Sequence, residues 1–499
     1  MKKISERFTF IILIALILIS LIQLRILWNH RFLFGLTTFF SDGKSTTQID
    51  YNIARNEFFT PYDVIVSEGI DKYCAVITDK GNQTYKKLWN EAKEYLKTII
   101  NTNKSQAVFP ESSLNVDEWA KLTANKSITF EFKTNIKLQL LSWFLGEQYT
   151  SPQVKFTGLY KMIICPYLDN VNDGICVIYI RDDKRIYKYT VNTNLSYKTW
   201  MKIEDYNNTF NKIDKDLTGI TKYNIIKTCY PEKLSYGPDL LGVANGPAER
   251  PIGSITCSTP EGLRMKGVYI ENEFDDIAKR IIGPEMDGYN RSIDSRNTIE
   301  YTNQNNVYRV YGDGLVEYKY LPEVLNSDKG EPGEAFQNAY KFISRLTSAS
   351  SNMLSGVRLY LSYFYELSDC YEFGFDYVLY NKINTLSENS NGIPIFITYK
   401  PLDNDIKLLE HAITVKSNSK SVIECYSLLK TFKVDKFHQY NVSFPDLMDK
   451  ASKDINGFNK LQINEAIIAY KIHDVKSIQS LIPVWELKTK SGNYSVPMF

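Results

Sequence analysis

The feature that most limits what this chain can fold into is an apolar run near its start. Residues Phe8–Leu24 are seventeen positions without a formal charge, and almost all are Ile, Leu, Phe or Ala. A helix of that length rises about 25 Å, close to the thickness of the hydrocarbon layer of a bilayer. Arg7 and Arg25 flank the run, and Trp28 follows, a residue type that favours the membrane interface. The run predicts a transmembrane anchor.

Three other kinds of segment also contain an apolar run. A cleaved signal peptide has a shorter apolar stretch and a small-residue cleavage site, whereas this run ends Ser20-Leu21-Ile22-Gln23-Leu24-Arg25. A lipoprotein needs a cysteine directly after the run, and the first cysteine is Cys74. A core helix usually carries a polar face, which this run lacks. The sequence therefore favours a retained single-pass anchor.

The charges on either side of the run predict its orientation. Lys2, Lys3, Arg7 and the amino terminus precede it, whereas Arg25 and Arg31 follow it. The more basic flank usually stays in the cytoplasm. No second long apolar run follows, so we expect a cell-membrane protein with a cytoplasmic amino terminus and an extracytoplasmic bulk.

Beyond the anchor, the chain is electrically neutral and has an ordinary globular composition. The whole chain carries 59 Lys or Arg and 57 Asp or Glu, a formal net charge of +2; Lys2, Lys3, Glu6 and Arg7 account for it, so residues 8–499 sum to zero. Because duplex binding requires a basic surface, we expect no nucleic-acid partner. The 43% hydrophobic content of the 499 residues excludes wholesale disorder and suffices for several domains.

The seven cysteines fit export less well than the anchor does. Exported proteins usually pair their cysteines, and an odd number gives no disulfide framework here. Cys165 and Cys176 lie in apolar stretches typical of buried strands. We therefore expect buried free thiols.

The pattern of apolar residues predicts an α+β fold. We expect the single transmembrane helix to be followed by about three extracytoplasmic domains, each an antiparallel sheet with packed helices. The predicted boundaries are residues 1–28 for the cytoplasmic tail and anchor, 29–55 for a juxtamembrane linker, 56–152 for an N-terminal domain, 153–325 for a central domain and 334–499 for a C-terminal domain.

Several elements have strong local signals. Apolar residues at helical spacing predict helices over Thr84–Asn101, Leu138–Leu145, Phe274–Ile282 and Glu334–Leu346. Alternation of Ile128, Phe130 and Phe132 with polar residues predicts a half-buried strand. The Pro- and Gly-rich stretch 231–262 predicts a long loop.

The chain carries no recognisable catalytic motif. It has no G-x-S-x-G nucleophile elbow and no H-E-x-x-H zinc motif, and its four histidines stand alone. Gly312-Asp313-Gly314 has two of the three glycines of a dinucleotide loop but leads into a strand, so it predicts a hairpin turn. We expect neither an enzyme nor a metal or other cofactor.

A tyrosine- and phenylalanine-rich hairpin is the remaining candidate for binding. Its two strands are predicted around residues 357–365 and 371–379, with a turn at Ser368-Asp369. The aromatic residues alternate with a period of two, which is typical of a sheet core. A ligand- or peptide-binding groove is the alternative.

Short segments spread along the chain resemble the YycH/YycI family of membrane-anchored regulators, and its YycH-type members most. These segments are Tyr85-Lys86-Lys87-Leu88-Trp89, Val310-Tyr311-Gly312-Asp313-Gly314-Leu315-Val316-Glu317-Tyr318, Gly392-Ile393-Pro394-Ile395, Ala412-Ile413-Thr414-Val415 and Leu481-Ile482-Pro483-Val484-Trp485-Glu486-Leu487. Their order over nearly the full length carries the resemblance. This chain differs in two places: it has Asn418-Ser419-Lys420 where the family often has glycine, and 231–262 resembles an expansion.

The resemblance implies a non-enzymatic regulator of an essential two-component system. Such proteins associate with a YycI-like partner and a sensor histidine kinase, partly through contacts between transmembrane helices. Small or polar residues often mark the packed face of such helices, and Ala15, Ser20 and Gln23 are the candidates here. A plain lipid-facing anchor is the alternative. An extracytoplasmic peptide- or ligand-binding module and a cell-wall enzyme are the rival functions.

Overall fold

A computed structural model gives the fold of the chain. It describes residues 51–67, 73–77, 80, 83–101, 119, 122–123, 125–147, 154–165, 175–183, 185–192, 220–224, 235–236, 249–259, 272–293, 298–322, 329–349, 357–380, 394–399, 410–441, 443–472 and 478–498. The predicted anchor Phe8–Leu24, its flanks and its candidate contact face lie outside these residues.

Six α-helices lie within the described ranges: α1 (Tyr51–Phe58), α2 (Gln83–Asn101), α3 (Leu138–Leu145), α4 (Asn272–Ile282), α5 (Pro332–Ala349) and α6 (Phe444–Asp454). Short 3₁₀ turns follow α4 and α6, at Pro284–Gly288 and Phe458–Lys460. The predicted stripe of α2 is confirmed, since all of its apolar members from Tyr85 to Ile100 are buried. Helix α1 begins inside the predicted linker 29–55.

The first sheet has seven described strands in the order β6-β5-β4-β3-β1-β2-β7, all antiparallel. Helices α2 and α3 contact strands of this sheet. Its strands are β1 (Asp63–Ser67), β2 (Tyr73–Ile77), β3 (Ser127–Lys137), β4 (Gly158–Cys165), β5 (Ile175–Arg181), β6 (Ile186–Asn192) and β7 (Ile220–Asn224).

The second sheet has thirteen described strands and contains two parallel pairs, both made by β20. Helix α5 packs against its β15, β17 and β18. Its strands are β8 (Ser235–Tyr236), β10 (Asn290–Ile293), β11 (Ile299–Thr302), β12 (Asn306–Val310), β13 (Leu315–Tyr320), β14 (Val357–Glu366), β15 (Tyr371–Tyr380), β16 (Pro394–Tyr399), β17 (Ile413–Ser417), β18 (Val422–Leu428), β20 (Gln462–Ile472), β22 (Pro483–Thr489) and β23 (Gly492–Pro497).

A third sheet joins strands that are remote in sequence, in the order β19-β9-β21. Strand β9 (Glu249–Ser258) lies in the stretch predicted to be a loop, so that prediction is wrong for these residues. At Pro251 the strand pairs with Gln439 of β19 on one side, whereas β21 (Gln479–Leu481) pairs only with residues 255–257; among the described strands the proline therefore lies at a sheet edge, where proline is tolerated. Strand β19 (Thr431–Asn441), the other partner of β9, was not predicted.

Backbone pairing crosses both predicted domain boundaries. Strand β4, just after residue 153, pairs with β3. Strand β13, before residue 325, pairs with β18 far beyond it. One apolar core runs through both large sheets.

The two turns associated with the family resemblance are closed by local contacts. Gly314 has φ +91°, and a Cβ there would lie 2.4 Å from the carbonyl oxygen of Leu429. Strands β12 and β13 pair antiparallel on either side of this turn, so the predicted hairpin turn is confirmed. The Lys430 ammonium donates a 2.7 Å bond to the carbonyl of Asp313 in the turn. In the other turn, Asn418 Oδ1 accepts bonds of 2.9 Å from the backbone N–H groups of Lys420 and Ser421, which close it without a glycine.

Candidate functional site

The two large sheets meet where helix α1 enters the core. Phe58, its last residue, packs edge-on against Phe336 and Tyr340 of α5 and Phe375 of β15, with ring centroids 5.3–5.8 Å apart. These residues belong to the second half of the molecule, which is the second sheet with α5. Its neighbour Phe59 packs in the first half, which is the first sheet with α2 and α3. There it contacts Trp89, Phe132 and Phe144, with centroids 5.0–5.6 Å apart. Two adjacent rings therefore connect α1 to both halves.

The segment after Phe59 is fixed to the first half by hydrogen bonds. The indole of Trp89 donates to the carbonyl of Phe59 at 3.2 Å, and the hydroxyl of Tyr85 donates to the carbonyl of Pro61. The backbone N–H of Tyr62 donates to the carbonyl of Glu131 at 2.9 Å. The chain from Tyr51 to β1 is therefore held by packing and by hydrogen bonds, not by packing alone.

A lysine on β3 links the sheets on the opposite face of the first sheet. The ammonium of Lys133 lies 3.9 Å from the ring centre of Tyr62 and 4.3 Å from that of Phe396 on β16. It also pairs with the carboxylate of Glu465 on β20, which Lys488 on β22 approaches at 2.9 Å. Burial lowers the pKa of Lys133, although Glu465 opposes that effect. Burial alone would raise the pKa of Glu465, but the two ammonium groups outweigh it and hold that pKa well below its ordinary value.

Next to Lys133, a row of charged residues crosses four strands. Asp63, Glu131, Lys161 and Arg181 are successive cross-strand neighbours on β1, β3, β4 and β5. Lys161 pairs with Glu131 at 2.7 Å, and the Tyr62 hydroxyl donates to the same carboxylate at 2.8 Å. Asp63 Oδ1 is buried and has no donor among the described residues. Burial and the nearby Glu131 carboxylate raise the pKa of Asp63 to about 7.

This face of β3 was predicted to be the exposed side of a half-buried strand, and that expectation is wrong. Ser127, Thr129 and Glu131 are as buried as the apolar residues between them. The face is covered by Trp119 and by the second sheet, through the Lys133–Glu465 pair. Nothing in the local sequence around Lys133 predicts its burial, because its partner Glu465 is remote in sequence.

A cleft opens between β3 and β14, beside the place where Lys133 of the first sheet pairs with Glu465 of the second. It has a volume of about 30 Å³ and is lined by Phe58, Thr60, Tyr62, Lys80, Phe132, Lys133, Thr134, Ile136, Arg358, Leu359, Tyr360, Leu361, Val378 and Phe396. Three of these residues are cations and none is acidic. Lys80 is a single described residue between β2 and α2. Burial and the nearby Arg358 guanidinium lower the pKa of Lys80 to about 8, and Glu57 opposes them.

The aromatic hairpin is core rather than groove over most of its length. Tyr371, Phe373, Phe375 and Tyr377 on β15 are buried. On β14, a bulge between Leu361 and Tyr363 ends the predicted alternation. Phe364 consequently points into the core, whereas Tyr365 is 54% exposed.

At that bulge the fold assembles Ser362, His411 and Asp376, a set that the sequence did not reveal. The hydroxyl of Ser362 lies 3.1 Å from His411 Nδ1, and Asp376 Oδ2 lies 2.8 Å from the same nitrogen. A Ser-His-Asp relay needs the serine on one ring nitrogen and the carboxylate on the other. The Ser362 hydroxyl also donates to the carbonyl of Gly374 at 3.1 Å. The cluster therefore holds the hairpin and does not activate a nucleophile.

Four of the seven cysteines are free thiols in the described part of the chain. Cys257, Cys370 and Cys425 are free and buried, as the sequence predicted, while Cys165 is free and half-buried. Burial raises the pKa of Cys257 and of Cys370 to about 11, so both remain protonated at neutral pH. In the described part of the chain, no three His, Cys, Asp or Glu side chains lie together as a metal site.

The predicted membrane residues cannot be placed in this fold. Arg7, Arg25 and Trp28, and the candidate contact face of Ala15, Ser20 and Gln23, precede the described residues. Among the helices from α1 to α6, none is both long enough and apolar enough to cross a bilayer. The anchor and its orientation stay predictions.

The fold is that of a mixed α+β protein with mostly antiparallel sheets and few helices. Among solved structures, the crystal structure of YycH from Bacillus subtilis is similar, with a TM-score of 0.49 and 11% sequence identity. That match covers 92% of this chain and 99% of that chain. No protein-family profile and no curated protein sequence matches the chain.

Proposed function

We propose that this chain is a single-pass membrane-anchored regulator. Its extracytoplasmic α+β body binds a YycI-like regulator and a sensor histidine kinase, and so modulates two-component signalling. The sequence resemblance described above motivates the proposal, together with the apolar run Phe8–Leu24 and its basic flank.

The observation that carries the proposal is the position of α1. This helix is the first described element after the proposed anchor, and Phe58 at its end contacts the second half of the body while Phe59 contacts the first. A partner that shifts one sheet relative to the other would displace these rings and, with them, α1, the described helix nearest in sequence to the proposed anchor. Such coupling suits a protein that acts through its transmembrane helix.

The arrangement of polar groups is consistent with this role. The charged residues at the junction pair with one another across strands and sheets, as Lys161 does with Glu131 and Lys133 with Glu465. Ser362, His411 and Asp376 lack the geometry of a relay. A protein that only binds partners needs no catalytic group, so these paired charges are compatible with a binding role.

The test uses the full-length chain. We expect membrane fractions to retain the protein, and detergent extracts to contain a histidine kinase that co-purifies with it. We also expect kinase autophosphorylation in proteoliposomes to change when the protein is co-reconstituted. Recovery of the intact protein in the cytosol, or turnover of cell-wall fragments by the purified protein, would overturn the proposal.

A second arm addresses the anchor itself. Replacing residues 8–24 by a poly-leucine run keeps the protein in the bilayer but removes Ala15, Ser20 and Gln23. We expect the replacement to abolish the effect on autophosphorylation while the protein remains in the membrane. An unchanged effect would reject helix–helix contact as the route of regulation.

A further inference from the structure

A patch of aromatic rings and carboxylates lies on the face of the second sheet opposite α5. This aromatic–acidic patch consists of Tyr363, Tyr365, Glu372, Glu410 and His411. Helix α5 packs on the other face, where its Phe336 contacts Phe373, the residue next to Glu372. Because successive side chains of a strand point to opposite faces, Glu372 and its cross-strand partner Tyr365 point away from α5.

The rings of the patch are stacked. Tyr363 stacks with His411 at a centroid distance of 5.2 Å and with Tyr365 at 6.2 Å, and the interplanar angles are 24° and 11°. Within the described part of the chain, Tyr365 contacts no other ring, and it is 54% exposed. Its ring can therefore still accept a group on an open face. The face of an aromatic ring attracts cations.

The carboxylates of the patch lack close cations of their own. Glu410 is exposed and forms no ion pair or hydrogen bond with the described residues. The ammonium of Lys416 lies 3.9 Å from the carboxylate of Glu372 but only 2.8 Å from that of Glu424. Lys416 therefore neutralises Glu424 more than Glu372, and the patch carries an excess of negative charge.

His411 shows that this charge favours a cation. Burial disfavours the imidazolium, yet the pKa of His411 is raised above 6.5. Asp376, which pairs with His411 at 2.8 Å, contributes most to the rise, and Glu410 and Glu372 add to it. The patch therefore already stabilises a positive charge beside Tyr363, and it does so partly with two carboxylates that have no close cation.

We propose that the aromatic–acidic patch binds an arginine side chain of a partner polypeptide. The planar guanidinium lies on the exposed ring of Tyr365 and donates to the carboxylate of Glu372, the cross-strand neighbour of that tyrosine. A lysine has the charge but not the plane. Sites for free small molecules are concave, whereas this patch lies on an exposed sheet face, so a polypeptide is the occupant that suits it. The inference goes beyond the proposed regulatory role and is tested without the kinase.

The test is an NMR titration of the full-length protein in detergent at constant ionic strength. It follows the ring resonance of His411, assigned with a His411→Gln variant. The probes are the capped pentapeptide acetyl-Gly-Gly-Arg-Gly-Gly-amide, its analogues with lysine and with citrulline in place of arginine, and methylguanidinium. Citrulline keeps the planar end of arginine and removes its charge.

We expect saturable shifts with the arginine peptide and a dissociation constant in the millimolar range. The lysine peptide and methylguanidinium should bind more weakly, and the citrulline peptide should not bind. Absence of saturable shifts, or equal binding of the arginine and citrulline peptides, refutes the proposal. Equal binding of the lysine peptide contradicts stacking on Tyr365, and equal binding of methylguanidinium contradicts a polypeptide occupant.

Variants locate the bound guanidinium. We expect Glu372→Gln to weaken binding of the arginine peptide about tenfold, the effect of one charge-assisted hydrogen bond. Tyr365→Leu removes the ring and should weaken binding about threefold. Glu334→Gln is the matched control, because it removes the same charge from an exposed position on α5, on the other face of the sheet, and it should leave binding unchanged.

Thermal unfolding shows which variants are folded, and the two site variants test the patch independently if one of them unfolds. Binding by folded Glu372→Gln or Tyr365→Leu that equals that of wild type contradicts the assignment. So does a loss in Glu334→Gln as large as that in Glu372→Gln.

Discussion

The ammonium of Lys133 pairs with the carboxylate of Glu465, which lies 332 positions later in the chain. The pair joins β3 of the first sheet to β20 of the second, and Lys133 is also held between the rings of Tyr62 and Phe396. The side chain of Lys133 is 8% exposed. Such a pair restricts how the sheets can sit on each other, because any other arrangement leaves a buried charge without its partner.

Removal of this lysine should therefore destabilise the fold. We expect Lys133→Met to lower the free energy of unfolding by about 2 kcal/mol, because Glu465 keeps only Lys488 as a partner. The double variant with Glu465→Gln should cost less than the sum of the two single variants. Urea unfolding measures all three. The control is Lys97→Met, which breaks a partly exposed pair with Glu94 and should change stability by less than about 0.5 kcal/mol. Similar losses from Lys97→Met and Lys133→Met contradict the proposed restriction.

Asp63 should make stability depend on pH. Its folded-state pKa is about 7, above its ordinary value of 3.8, so the folded state binds a proton that the unfolded state releases. Its contribution to stability is fully present below about pH 3.8 and is lost as the pH rises through about 7. Asp63→Asn mimics the protonated form. We expect this variant to be more stable than wild type at pH 8 by roughly 1–2 kcal/mol, with the advantage shrinking towards pH 4. Urea unfolding at several pH values checks this, and a constant difference refutes it.

Local patterns predicted helices α2 to α5, whereas α1 begins inside the stretch predicted to be a linker. The stripe of α2 and the turn at Gly312-Asp313-Gly314 depend on residues that are near one another in sequence. Strand β9 was missed because it lies in the Pro- and Gly-rich stretch 231–262, and because its partner β19 begins more than 170 positions later. Pairing with β19 imposes the extended conformation of β9, and local propensity does not predict that pairing.

The candidate site could not be predicted for the same reason. Glu131 and Lys133 alternate with Ile128, Phe130 and Phe132. This alternation is typical of an amphipathic strand whose polar side chains are exposed. The burial of Glu131 and Lys133 comes from the packing of one sheet on another. The set of Ser362, His411 and Asp376 depends on a bulge that shifts the register of β14, and nothing in the alternation marks it.

Gly374 on β15 should be essential for the packing of the His411 ring. A Cβ at Gly374 would lie 2.7 Å from His411 Cδ2 and 2.8 Å from Tyr363 Cβ. We expect Gly374→Ala to lower the free energy of unfolding by about 1–3 kcal/mol, because the ring cannot move without leaving Asp376. Gly288→Ala is the matched control, since nothing lies within 4 Å of a Cβ there. Equal effects of the two variants in thermal unfolding contradict this account.

His411 should titrate above its ordinary range. Burial disfavours its imidazolium, but the hydrogen bond and charge of Asp376 outweigh burial and raise the pKa of His411 above 6.5. Its contribution to stability is present below pH 6.5 and is lost as the pH rises through the raised value. In an NMR titration assigned with His411→Gln, we expect Asp376→Asn to lower the pKa of His411. An unchanged pKa shows that Asp376 does not hold the charged ring.

Phe58 should contribute more to stability than any exposed ring. Its side chain is 5% exposed and packs on two helix residues and one strand residue of the second half. We expect Phe58→Ala to lower the free energy of unfolding by about 3–5 kcal/mol, through lost burial and the cavity left behind. Phe437→Ala, at a ring that is 41% exposed on β19, should cost less than about 1 kcal/mol. Because Phe58 joins α1 to α5, hydrogen exchange should also accelerate in α5 for Phe58→Ala. Exchange that is faster only in α1 shows that the ring does not connect the two halves.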